Sequence, residues 1–317
     1  MAVLLGGCGE EASEKSAASA SPPIERLIAQ AAKVSAADFP ATGGRTLQEI
    51  ADTVLAGPQV GLATSVFTPG ENRLAFGLID KGNALVYGPT ALYVARTPQA
   101  RARGPFPAPA GSLLVEPPFR SRTAAEEDDA VAAIYAAQVP LDRPGRYAVL
   151  AVSRAERGLI GAAAQIQVRR SSPIPAVGER APRVDTDTLA SAGGNIEAIE
   201  TRVPPDDMHQ VNFADEVGKR PIALLMATPA LCQTRVCGPV TDIAAQLQRE
   251  FGDRVAFIHQ EVYVDNEVAS GLRPPLQAFR LRTEPWLFTV DRRGRVAARL
   301  EGSFSIEEFR AAVKAAL

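Results

Sequence analysis

With 317 residues, 46% hydrophobic and 22% charged, the chain has room for two folded domains and falls outside the globally disordered class. Its 34 basic and 36 acidic side chains leave a formal charge of −2, which gives no electrostatic basis for holding nucleic acid. No run of about 18 apolar residues occurs, so the sequence predicts no membrane-spanning helix.

The N-terminus reads Met1-Ala-Val-Leu-Leu-Gly-Gly-Cys8, with Leu5 three before the cysteine and two small residues between. A polar stretch of small residues follows to Pro23 and cannot pack a core. This segment resembles the end of a bacterial lipoprotein signal, without its positive n-region and with only Ala2 to Leu5 as apolar segment. The resemblance implies lipid attachment at Cys8 and a site of action outside the cytoplasm, where disulfides persist. A disordered N-terminus with an incidental cysteine is the plainer alternative.

Residues 24–34 and 46–55 have the spacing of short helices, the second with Leu47, Ile50, Val54 and Leu55 on one face. From about residue 58 the texture changes to short β runs, at 60–67, 73–79, 91–95, 132–140, 147–153 and 161–168. Turn signals separate them at Thr68-Pro-Gly-Glu, Asp80-Lys-Gly-Asn and Asp142-Arg-Pro-Gly. So many short strands predict a β-sandwich, and its texture resembles the immunoglobulin-like modules of bacterial exported proteins. This half holds no His and no Cys. Glu126-Glu-Asp-Asp129 reads as a solvated loop or helix start, and the Pro-rich 104–110 as a loop. A binding or spacer module is the expected role.

A Pro- and Ser-containing linker at 171–182 leads to an α/β half. A buried strand is predicted at 222–227, a helix at 240–251, strands at 255–262, 285–290 and 295–300, and a last helix at 306–316. Asp291-Arg-Arg-Gly294 makes a hairpin turn. Between the first strand and helix stands Cys232-Gln-Thr-Arg-Val-Cys237-Gly-Pro. A helix N-terminus there favours a thiolate, which predicts Cys237 as the more acidic thiol.

The order of these elements resembles the thioredoxin fold of the TlpA-like and peroxiredoxin-like superfamily. Val177-Gly178 with Ala181-Pro182 resembles its opening segment, and Cys237-Gly-Pro the first three residues of the thioredoxin Cys-Gly-Pro-Cys motif, with Val240 in place of the second cysteine. The resemblance implies a cis peptide at Pro285 facing the cysteines, and a thiol–disulfide oxidoreductase with Cys237 as nucleophile and Cys232 resolving. A peroxiredoxin branch spaces its two cysteines Cys-x4-Cys, but Pro229 stands where that branch wants a threonine. A plain structural disulfide in a non-catalytic binding lipoprotein is the rival.

No cofactor and no metal-ligand set is read from the sequence. Sco-type copper proteins use Cys-x3-Cys and a later His, whereas here the spacing is one longer. His209 precedes the first strand, and His259 lies inside the central one as a packed or hydrogen-bonded ring. Glu261 is a candidate proton shuttle or, more simply, the partner of an arginine. Trp286 is a candidate wall for a peptide, or core.

The expected organisation is a multidomain protein. Signal remnant and tether occupy 1–23, a helical segment 24–57, and an all-β immunoglobulin-like sandwich 58–170. A linker at 171–195 joins this to an α/β thioredoxin-like domain at 196–317. The implied partners are protein thiols and disulfides, no nucleic acid, and a membrane through the lipid anchor only.

Overall fold

A computed structural model of the chain describes residues 23–122, 131–232 and 235–317. Cys8 and the acidic run at 126–129 lie outside the described residues. Among those described, no helix is long and apolar enough to cross a membrane.

The N-terminal half opens with helices α1 (Pro23–Ala31) and α2 (Leu47–Ala51). Helix α2 is shorter than its periodicity suggests, because Leu55–Ala56 is drawn off as strand β1, parallel to the last sandwich strand. Eight further strands follow: β2 (Gln59–Leu62), β3 (Gly70–Ile79), β4 (Thr90–Ala95), β5 (Arg103–Pro107), β6 (Ala110–Ser112), β7 (Ala133–Leu141), β8 (Gly145–Ala155) and β9 (Gly158–Val168). They form two sheets, ordered β1-β9-β8-β4-β5 and β2-β3-β7-β6.

Alternate residues of facing strands meet in one core. Leu74, Phe76 and Leu78 of β3 pack with Tyr147, Val149 and Ala151 of β8, as a period of two requires. The opposite face of β4 and β8 is covered by Phe39, Leu47 and Ile50 from the helical segment. The Pro-rich 104–110, expected as a loop, contributes most of β5. That strand lies at a sheet edge, where a missing proline N–H costs no ladder bond.

In the C-terminal half a short helix α3 (Phe213–Glu216) precedes strand β10 (Ile222–Met226), helix α4 (Cys237–Phe251) and strand β11 (Ala256–Gln260). Then come helix α5 (Pro274–Ala278), the hairpin β12 (Trp286–Val290) and β13 (Val296–Glu301), and helix α6 (Ile306–Ala316). The sheet order is β11-β10-β12-β13. β10 runs parallel to β11 and antiparallel to β12, and β12 is antiparallel to β13. The succession of elements along the chain, βαβ and then ββα, is the one that the thioredoxin-like resemblance implies.

Helix α4 buries Val240, Ile243, Ala244, Leu247 and Phe251 on the sheet, the stripe visible in the sequence. It begins three residues earlier than its apolar periodicity, because Pro239 falls in the first turn, where N–H groups have no helical acceptor anyway. Both sheet faces are covered. Helices α4 and α6 lie on one, while Phe213, Leu276 and Phe279 pack on the other.

The two halves share a continuous interior. Ala75, Leu113, Val115 and Ile134 of the sandwich join the cluster around Cys237, Val240 and Phe309. Polar contacts reinforce it. Arg73 pairs with both carboxylate oxygens of Glu308 at 2.6 and 2.9 Å, and Glu301 accepts from the backbone N–H groups of Ser65 and Val66, each at 3.0 Å. Gly302 is required at this seam. Its φ is +69°, and a Cβ there would stand 1.7 Å from the Ala63 carbonyl oxygen.

Candidate functional site

Strand β10 ends at Met226 and delivers the chain to a loop carrying Cys232, after which Cys237 opens helix α4. Both cysteines are thiols in this structure, Cys232 partly exposed and Cys237 fully buried. The Cys232 side chain hydrogen-bonds the Cys237 sulfur, which also receives the Thr228 backbone N–H. The loop therefore brings the two residues into contact despite their wide spacing.

Burial pushes the Cys237 thiol well above its ordinary range, and the hydrogen bond and charge of Cys232 add to this. The Thr228 N–H opposes the shift, and the Glu284 charge adds a little more. The helix dipole favours a thiolate at Cys237, and burial acts against it. A helix N-terminus is worth about 0.3–1 kcal/mol at an exposed site, whereas complete burial can move a pKa by about 3–5 units. Desolvation wins.

Across from the pair lies the loop leading into β12. Its Glu284–Pro285 peptide bond is cis, and the Pro285 carbonyl accepts the Gly302 N–H at 2.8 Å. The sequence alone assigns no role to Glu284. Burial raises its carboxyl pKa, and the charge of Cys232 raises it further. The Tyr263 hydroxyl stands 3.5 Å from its Oε1. The sequence signal for Glu284 was its place directly before Pro285; for Tyr263 there was none. Trp286 belongs to the core, stacked on Phe288 at 5.6 Å, with its Nε1 donating to the Thr283 hydroxyl at 3.1 Å.

A cavity of about 570 Å³ opens beside this loop. Val236, Thr283 and Glu284 line it from the C-terminal half, and Ala63, Ser65 and Ile134 from the sandwich.

Behind the pair the interior is polar. Glu261, just past β11, is fully buried, and its Oε1 accepts from the Thr201 hydroxyl at 2.6 Å and the Thr201 N–H at 2.9 Å. Its partner is thus a threonine rather than an arginine, and burial raises its carboxyl pKa. His259 is hydrogen-bonded, as expected of a central-strand imidazole. His209, fifty residues earlier, lies beside it, with ring centres 5.2 Å apart.

No protein-family model matches the chain, and no curated protein matches it. Among solved structures, a thiol:disulfide interchange protein DsbE from Chlorobium tepidum is similar at 13% identity and a TM-score of 0.32, covering 45% of this chain and 98% of its own. A thioredoxin-family thiol:disulfide interchange protein from Chlorobium tepidum TLS shows 16% identity and a TM-score of 0.31, covering 44% of this chain and 97% of its own. MTB DsbF gives 16% and 0.31, covering 43% and 96%.

Proposed function

We propose that this protein is an extracytoplasmic thiol–disulfide oxidoreductase acting on protein disulfides, tethered by lipid at Cys8. The observation that carries the reading is the contact between a partly exposed Cys232 and a buried Cys237 at the start of a helix, faced by the Glu284–Pro285 loop. Exposure reverses the roles implied by the sequence resemblance: Cys232 attacks and Cys237 resolves.

In the reductive direction, the Cys232 thiolate attacks one sulfur of a substrate disulfide. A mixed disulfide forms, and the departing substrate sulfur takes a proton. Cys237 then loses its proton and attacks the Cys232 sulfur. The second substrate thiol leaves, and the two electrons given to the substrate leave a Cys232–Cys237 disulfide. Glu284 is the proton acceptor for this second step. Its raised pKa narrows the gap to the thiol it must deprotonate, the condition for effective general base catalysis. The cavity shared with the sandwich receives the substrate chain, giving the immunoglobulin-like module the role of one wall of the site.

Trapping tests this reading. Cys237→Ser leaves the attacking thiol and removes the resolving one, so it should accumulate mixed disulfides with extracytoplasmic proteins, mapped to Cys232 by mass spectrometry. Accumulation with Cys232→Ser instead would restore the opposite assignment, and none with either would remove the activity.

A further inference from the structure

We propose that Glu200, Asp206, His209 and His259 bind one zinc-like divalent cation in the protein interior, a site independent of the thiol chemistry. All four residues are buried, and a potential ligand atom from each lies within 4.8 Å of the others. His209 Nε2 stands 3.0 Å from Glu200 Oε2 and 3.7 Å from Asp206 Oδ1. His259 Nδ1 stands 3.1 Å from Glu200 Oε2 and 2.9 Å from Asp206 Oδ2. Tetrahedral zinc with bonds of about 2.0–2.2 Å places its ligand atoms roughly 3.3–3.6 Å apart. The four distances bracket that spacing, and the ligand atoms of the whole set lie within 4.8 Å of one another.

The groups behind these side chains aim them inward, as the supporting contacts of metal ligands do. The His259 Nε2 is 3.2 Å from the Ala227 carbonyl oxygen, which orients the ring with Nδ1 facing the carboxylates. The Arg202 N–H donates to Glu200 Oε1 at 2.7 Å, and the Met208 N–H to Asp206 Oδ1 at 2.8 Å. The His259 N–H donates to the Met208 carbonyl at 3.1 Å, fastening the ligand-bearing loop to the central strand.

Charge balance points the same way. Two carboxylates meet here, and among the described residues no lysine or arginine side chain is paired with either. A bound dication would balance both carboxylates. His209 Nδ1 has no hydrogen-bond partner, and it is that ring's Nε2 that faces them. A mixed nitrogen and oxygen donor set favours zinc over magnesium or calcium, which take oxygen. The sequence concealed the set because His259 reaches it only through strand pairing.

The test uses the full chain with all three cysteines changed to serine, so that no thiol can hold metal. It is expressed with zinc in the medium and purified without chelator. Elemental analysis should find about one zinc per chain. Competition with a chromogenic chelator should show at least about a tenfold loss of affinity in an Asp206→Asn, His209→Gln double variant. Should that variant fail to fold, cobalt added in place of zinc during expression decides the matter on the parent chain, where the visible absorption of a tetrahedral cobalt centre is expected. A folded thiol-free protein without zinc, a double variant with undiminished affinity, or the weak spectrum of six-coordinate cobalt would each overturn the site.

Discussion

Cys232→Ser should abolish disulfide exchange, while the Cys237 it leaves behind should react slowly with iodoacetamide, with an alkylation midpoint above about 8.5. Burial is the main cause of the raised Cys237 thiol and survives the substitution. Each unit of elevation lowers the thiolate fraction near neutral pH about tenfold. In Cys237→Ser the partly exposed Cys232 should be alkylated at least about tenfold faster than Cys237 in the converse variant, since both access and thiolate fraction govern the rate. Adding Glu284→Gln to the Cys232→Ser variant removes a like charge and should move the Cys237 midpoint downward. Rapid alkylation of Cys237 near neutral pH would show that the helix dipole outweighs burial after all.

Asp242→Ala should cost about 3–5 kcal/mol of stability, the range for breaking a buried ion pair by removing one partner. Asp242 lies one turn beyond Cys237 on α4 and accepts from Arg202 Nε at 2.8 Å and from the Ser121 N–H at 2.9 Å. The same guanidinium donates to the Pro204 and Phe119 carbonyls, so it joins the segment approaching helix α4 to the connection between β6 and β7 of the sandwich. Burial holds the Asp242 carboxyl above its ordinary range against the pull of Ser121 and Arg202, so the carboxylate itself is costly to bury. The loss on deletion therefore comes from the stranded guanidinium. Urea denaturation should show it as a lower midpoint, and a change below about 1 kcal/mol would mean that solvent reaches Arg202 in the folded protein.

The sheet of the C-terminal half was legible because each strand is a compact apolar run bounded by turn residues. The 306–316 helix coincides with its predicted span, and 222–227 exceeds β10 by one residue. The sandwich strands were legible by alternation, except β1 and β6, too short to show a period, and β5, masked by its prolines. At the site, the cysteines were found from their place between strand and helix. The burial that raises the Cys237 thiol is a property of packing that local sequence does not display. Glu284 and Tyr263 were missed for the same reason, as each gains meaning only from what lies across the cavity. His209 and His259 were read singly, since their convergence depends on a loop folding back over a central strand.

The reduction potential of the Cys232–Cys237 pair tests the proposed chemistry most directly. It is read by equilibrating the full chain in thiol–disulfide buffers and counting reduced thiols by mass spectrometry. A working exchange pair should lie between about −270 and −120 mV, the span of thioredoxin-fold oxidoreductases. A value below about −300 mV would mark a fixed structural bridge and contradict the assignment.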